Sequence, residues 1–339
     1  DNDNFFFLKD KKDKLKKFPV RLQTVLRDQL KINAVYVFNN KPVVLFKFFD
    51  DCDNEKLKKF HRNIWNLNES PIAFAILPNE IRMYNAYIFS EEEKGILYKI
   101  VDQIKENDKN YLSKFSSFNI DSGKVWEEFG DEFNKRNRVD NKLLENLKAA
   151  RKVLREGEDK LSYRTIHSII GRCIFSRYLI DREAIAKDFF RKNYSVKSFD
   201  DLILNKKKLY KFFNFLKERF NGDLFPIDKE EEKTVTSEHL RTMNRLFSGD
   251  EISTGQMSLF QEYDFSIIPI ELISNIYETF LTQEDPDEKR KSGVFYTPIV
   301  LVDYILSRSL NSIIEKKNDY NITILDPACG SGVFLVESF

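Results

Sequence analysis

Apolar positions in the first stretch of the chain recur in two different rhythms. From Phe18 to Leu30, Val20, Leu22, Val25, Leu26 and Leu30 fall near one side at helical spacing, which predicts a helix. Two β-rich runs follow, Ala34-Val-Tyr-Val-Phe38 and Pro42-Val-Val-Leu-Phe-Lys-Phe-Phe49. Asn39-Asn40-Lys41 between them suits a hairpin turn. A charged helix is expected from Asn54 to Trp65, then strands at Ile72–Leu77 and Ile81–Ile88 around a turn at Pro78-Asn79. The predicted order is helix, strand, strand, helix, strand, strand.

From about Phe115 to Leu281 the rhythm is helical throughout. Leu143, Leu147, Ala150 and Leu154 recur at +4, +3 and +4, and Ile166, Ile170 and Ile174 at +4. The second stripe runs into a charge cluster, Arg177-Tyr-Leu-Ile-Asp-Arg-Glu183. Phe220–Phe225 reads as a turn, and Asp228–Lys233 as an exposed loop or helix start. Ile273, Ile276, Tyr277 and Phe280 form a further helical face before the polar linker Gln283–Lys291. After Val300–Ile314, again helical in pattern, Asn321–Leu325 reads as a short strand, and Val333 onward as a helix start.

Composition narrows this little. Net charge is only +1, so any nucleic-acid partner must meet a local basic surface, such as Lys9–Lys17 or Lys206–Lys211, instead of a bulk field. Solvated lysine faces explain such runs equally well. Three separated cysteines, Cys52, Cys173 and Cys329, suggest neither a disulfide framework nor a zinc site. No apolar run is long enough to cross a bilayer, and the expected location is cytoplasmic, with no membrane partner. His61 with Trp65 reads as a packed helix face, and His167 and His239 as isolated residues.

The chemically specific residues come last. Ile322-Thr-Ile-Leu-Asp-Pro-Ala-Cys-Gly-Ser-Gly-Val-Phe-Leu335 runs from an apolar stretch through Gly-x-Gly into a helix start. Such a loop presents backbone N–H groups to a ligand, and an acid at the strand's end suits a cationic ligand group. Asp326–Gly332 with Phe334-Leu335 resembles motif I of S-adenosylmethionine-dependent DNA adenine-N6 methyltransferases. About 30 residues upstream, Gly293-Val-Phe-Tyr-Thr-Pro298 resembles motif X of the same enzymes. Arg138–Leu147, Ile170–Arg182, Phe220–Ile227 and Asp264–Leu272 are similar to the helical domain of type IIG restriction–modification enzymes.

The resemblance implies an α/β architecture in three parts. Residues 1–112 form a degenerate nuclease-like α/β domain, 113–282 a helical connector, and 283–339 the truncated beginning of a Rossmann-like methyltransferase domain. It implies S-adenosylmethionine as cofactor and double-stranded DNA as substrate, with the oligomeric state open. Asp326 is implied to hold the cofactor's ammonium, and Pro327, Ala328, Gly330 and Gly332 to lie against it. Phe334 is implied beside its adenine, and Phe295, Tyr296, Thr297 and Pro298 beside its methionine part; Cys329 reads as a small packing residue.

Two expected elements are missing. The family's base-binding motif, Asn/Asp-Pro-Pro-Tyr/Phe, is absent because no two prolines are adjacent, so the expectation is the front portion of a longer polypeptide with no methyl-transfer catalytic residue of its own. A PD-(D/E)xK nuclease needs two carboxylates to hold Mg²⁺, and the corresponding places carry Asn33 and Leu45, leaving Lys47 as the remnant. Asp50, Asp51 and Asp53 are either a displaced metal cluster or a solvated loop, so Mg²⁺ enters only if this domain cleaves DNA. The competing reading is a non-catalytic DNA- or partner-binding module.

Overall fold

The computed structural model describes residues 4–9, 15, 18–89, 95–186, 188–220, 227, 230–258, 261–282, 297, 299–317, 321–327 and 333–338. The chain divides into two compact units, Asp1–Pro269 and Ile270–Phe339.

The first unit is built on a six-stranded sheet whose strands follow sequence order: β1 (Phe5–Phe7), β2 (Ala34–Phe38), β3 (Lys41–Phe48), β4 (Ile72–Leu77), β5 (Glu80–Asn85) and β6 (Ile96–Val101). All neighbours are antiparallel except β3 and β4. A parallel pair needs a crossover, and the helix Asn54–Leu67 supplies it. Asn39 and Asn40 turn the β2–β3 hairpin with φ of 50° and 60°, a conformation asparagine tolerates better than most residues.

Both faces of the sheet are covered. Leu22, Val25, Leu26, Leu57, Phe60 and Ile64 pack on Val35, Leu45, Ala73, Ala75 and Tyr84. On the other face Phe115, Ile120, Val125, Phe129 and Phe133 pack on Tyr36, Val44, Ile72 and Met83. Double coverage explains why the strand runs are continuously apolar and do not alternate.

The sequence reading needs four corrections here. The helix α1 (Val20–Thr24) widens at once into a turn over Val25–Gln29, where the Leu30 N–H reaches back to the Val25 carbonyl at 2.8 Å. Val20 is two residues, about 200°, from Leu22 and faces solvent at 77% exposure. Strands β1 and β6 were not foreseen. Glu231, expected in an exposed charged stretch, is 2% exposed: its carboxylate accepts from Arg172 and from the Tyr210 hydroxyl at 2.9 Å.

Downstream of the sheet come α3 (Glu106–Ser113), α4 (Ser117–Asp121), α5 (Lys124–Glu128), α6 (Val139–Glu156) and α7 (Tyr163–Asp181), with the crossover helix as α2. Then follow α8 (Phe189–Tyr194), α9 (Phe199–Ile203), α10 (Lys206–Phe220), α11 (Glu231–Thr234) and α12 (Ser237–Ser248). The two predicted stripes are buried: Leu143, Leu147, Ala150 and Leu154 on α6, and Ile166, Ile170 and Ile174 on α7.

An irregular strap, residues 262–268, ties the helices to the sheet. The Asn66 amide, at the end of α2, donates to the Glu262 carbonyl at 2.9 Å and accepts from the Asp264 N–H at 3.0 Å. Arg21 donates to the Ile267 carbonyl at 3.3 Å from the sheet side. From α7, Arg182 donates to the carbonyls of Phe265 and Ile268, and Asp181 accepts from the Phe265 N–H at 3.1 Å. Tyr263, Phe265, Ile267 and Ile268 of the strap are buried.

The second unit holds α13 (Ile270–Thr282), α14 (Ile299–Lys317) and α15 (Val333–Ser338). Its described core includes Ile273, Ile276, Phe280, Val302 and Val333. The strand expected at Asn321–Leu325 is not one. No described segment pairs with it, and Leu325 is 84% exposed. Extended backbone becomes a strand only when a neighbour takes its N–H and C=O groups.

Asn66 is fully buried, so Asn66→Ala strands one carbonyl and one N–H of the strap. Chemical denaturation is expected to show a loss of about 2–4 kcal/mol; a loss under about 0.5 kcal/mol contradicts the role given to the strap.

Candidate functional site

The residues singled out near the end of the chain lie in the second unit. Ile322–Leu325 forms neither helix nor strand, Asp326 follows half-buried, and α15 starts at buried Val333 with Phe334 half-buried. Thr297 stands half-buried two residues before α14 begins at Ile299. Phe295, Tyr296, Pro298, Ala328, Gly330 and Gly332 lie outside the described residues, as does Cys329. Pro327 is exposed. The described frame is therefore an irregular segment, an acid at its end and, further on, a helix. A carboxylate so placed can take a cationic group, while the helix start supplies N–H donors.

Residues 269–339 match the model of the N-6 DNA methylase family. That match covers the whole second unit, including Asp326 and Phe334. Two curated relatives, both from Methanocaldococcus jannaschii, align with a similar length of chain. The Type I restriction enzyme MjaVII methylase subunit is 38% identical over 81 residues, and the Type I restriction enzyme MjaVIII methylase subunit 37% identical over 83. Each alignment takes in 24% of this chain and only 13% of the relative's length. No solved structure matches the chain.

The second place to inspect is the front sheet around Lys47. The Lys47 ammonium donates to the Leu30 carbonyl at 2.6 Å and sits 5.2 Å and 5.4 Å from the rings of Phe49 and Phe60. Burial, and then the charges of Lys31 and Lys59, hold its pKa below the ordinary lysine value. Leu45, on the same strand, is fully buried in the core. The Asn33 side chain accepts from the Phe48 N–H at 2.8 Å, so it stitches β3.

The three nearby aspartates do not converge on a metal. Asp53 caps α2 by accepting from the N–H groups of Glu55 and Lys56. Asp51 pairs with Lys56 at 2.8 Å, and Asp50 is exposed. Among the described residues no group of three or more His, Cys, Asp or Glu can hold a metal ion. The positions that a Mg²⁺-dependent nuclease would use are thus filled by an amide, a leucine and a lysine bonded to backbone, and they do not fit that ion.

The histidines serve packing. His61 is 4% exposed, with its ring 4.6 Å from Tyr84 and 5.4 Å from Phe89; any Cβ at Gly95 would collide with it. His239 accepts from the Thr236 N–H at 3.0 Å as part of the start of α12. Trp65 donates to the Asn137 carbonyl at 2.9 Å.

Two buried polar groups escaped the sequence reading. Arg172, Glu231 and Tyr210 form one network across α7, α10 and α11. Asp181 is pushed up to about 6 by burial, against the opposing pull of Arg177 at 3.2 Å and the Phe265 N–H. In sequence, Glu231 falls in a stretch read as an exposed loop or helix start and Asp181 in a charge cluster, and neither signals burial.

Burial lowers His61 to about 4, against hydrogen bonds with the backbone at Ile88 and Asn85 that act the other way. The unfolded chain therefore takes up a proton more readily, and the stability His61 contributes at neutral pH is lost as pH falls from about 6.5 toward 4. Unfolding free energies of wild type and His61→Phe, compared between pH 7 and pH 4.5, are expected to converge by about 2–3 kcal/mol. The comparison separates His61 from Asp181, whose raised value has the opposite sign. A constant difference across that range contradicts the buried neutral ring.

Proposed function

We propose that this chain belongs to a site-specific DNA methyltransferase that moves a methyl group from S-adenosylmethionine to adenine N6 in double-stranded DNA. The setting is a cytoplasmic restriction–modification or phage-defence system of the type IIG kind. The observation that carries the reading is the coincidence of one segment. Residues 269–339 match the N-6 DNA methylase family, and the Asp326–Gly332 and Gly293–Pro298 sequences both fall inside it. The names of the two relatives support the restriction–modification setting.

Bound S-adenosylmethionine supplies an electrophilic methyl group. The half-buried Asp326 carboxylate would hold the ammonium of its methionine part by charge pairing. Gly330 and Gly332, without side chains, would let the backbone approach, with Pro327 and Ala328 near them in sequence. Phe334 would lie beside the adenine, and Phe295, Tyr296, Thr297 and Pro298 would wall the methionine side.

The same reading assigns residues 1–112 to a degenerate nuclease-like domain, 113–282 to a helical connector and 283–339 to the methyltransferase portion. The packing of Lys47, Asn33 and Leu45 supports the loss of cleavage in that domain. A second reading is a non-catalytic DNA- or partner-binding module. The two readings part on whether the full-length protein transfers methyl groups.

With labelled S-adenosylmethionine and duplex DNA, the full-length protein is expected to put label into N6-methyladenine. Asp326→Ala is expected to weaken cofactor binding by roughly 100-fold, the scale of an ammonium losing its buried partner. Label in cytosine alone, or in no DNA, contradicts the proposal.

A further inference from the structure

The nearly neutral chain hides a strongly uneven charge distribution. Between Lys187 and Arg219 there are ten lysines and arginines against four acids, a net of +6, so the remaining residues carry −5 of the chain's +1. The structure gathers this stretch into one lobe formed by α8, α9 and α10. Phe189 of α8 packs on Phe215 of α10 at 5.0 Å, and Phe190 on Phe212 at 5.3 Å. Phe199 of α9 closes the same cluster, 6.0 Å from Phe190 and 5.9 Å from Phe212. The basic side chains thus stand on a rigid aromatic base.

The basic side chains face outward. Leu209, Tyr210, Phe212, Phe213 and Leu216 turn the apolar side of α10 into the core. Its exposed side presents Lys207, Lys211, Asn214 and Lys217, and Arg191 and Lys197 are exposed alongside. Lys207 and Lys211 are one turn, about 6 Å, apart.

Three of the four local acids leave this charge standing. Asp188 pairs with Lys192, Asp200 turns to Arg177 and Asp201 accepts from the Lys197 backbone N–H. Among the described residues, Arg191, Lys197, Lys207 and Lys211 have no carboxylate at ion-pair distance.

The arrangement also works against the fold. Lys206, Lys207 and Lys208 occupy the first turn of α10, with no acid there, although a helix disfavours cations at that end by about 0.3–1 kcal/mol each. Asn205 accepts from the Lys208 N–H at 3.1 Å at this end but brings no negative charge, which points to a use for the cations outside the fold.

We infer that the α8–α10 lobe binds the phosphate backbone of duplex DNA. This deepens the DNA methyltransferase reading and rests on it for the identity of the polyanion. The exposed side of α10 has no large apolar anchor at Lys207, Lys211, Asn214 or Lys217, which an interfacial membrane helix would need. Contacts of this kind position DNA without reading its sequence, so they track salt and not base identity.

The test uses the full-length protein and a fluorescent duplex of arbitrary sequence, with anisotropy measured from 50 to 200 mM salt. Arg191→Gln/Lys207→Gln/Lys211→Gln is expected to weaken binding at least tenfold. It should also flatten the log–log salt dependence by roughly 0.9 per lost phosphate contact. Its thermal midpoint is expected to stay level or rise, which a merely structural role would not give. The same charge change on α6, Lys142→Gln/Lys148→Gln/Lys152→Gln, is expected to leave binding unchanged. Equal losses in both variants overturn the assignment, as does a lobe variant that loses binding to anionic lipid vesicles but not to DNA. Wild-type binding and methyl transfer with an unaffected lobe variant overturn the lobe alone. A wild type that neither binds nor methylates DNA overturns both.

Discussion

The carboxamide of Asn66 holds a backbone that has no regular partner of its own. Residues 262–268 form neither helix nor strand, yet four of their side chains are buried, so their N–H and C=O groups need partners from elsewhere. Asn66 supplies a donor and an acceptor together, and Arg21, Asp181 and Arg182 complete the set. Asn66 can do this because the parallel β3–β4 pair forces a crossover helix whose last turn ends beside the strap. Sheet and helical layers consequently belong to one compact unit, and the chain leaves it at Pro269.

Charge is used in two opposite ways along the chain. Inside, Arg172 with Glu231 and Arg177 with Asp181 are paired, hydrogen-bonded and nearly dry, so removing one partner would leave an uncompensated charge. Lys47 belongs with these: its ammonium is a strut onto Leu30, with two aromatic rings beside it. Outside, on α8 and α10, Arg191, Lys207 and Lys211 are exposed and have no carboxylate at ion-pair distance among the described residues. The contrast separates charge that holds the fold from the charge assigned above, as a proposal, to DNA.

What could be read from sequence follows from how each element earns its stability. Ala34–Phe38 and Ile72–Leu77 match their strands end to end, and Asn54–Trp65 falls two residues short of its helix, because buried apolar runs and an aspartate cap are local signals. β1 is three residues long and owes its existence to pairing with β2, a non-local cause. Ile96-Leu-Tyr-Lys-Ile-Val101 did carry an apolar run, and Gly95 before it marked a boundary, so β6 was legible and missed. Ile322–Leu325 erred the other way: β-branched residues promised a strand, but no described segment pairs with it. Glu231 and Asp181 were invisible as buried residues, since a charge run reads the same wet or dry until the tertiary partners are known. Of the residues proposed to hold the cofactor, Asp326 and the glycines were legible as a motif, and Asp326, Thr297 and Phe334 are the ones whose partial burial the structure adds.

The central claim is that the last segment holds S-adenosylmethionine against Asp326. Ultraviolet cross-linking of methyl-labelled S-adenosylmethionine to the full-length protein, followed by peptide mapping, tests it directly. The account predicts label in peptides spanning residues 293–298 or 326–335, competed by unlabelled cofactor and lost in Asp326→Ala. Competable label confined to residues 1–269, or retained in full by that variant, would contradict it.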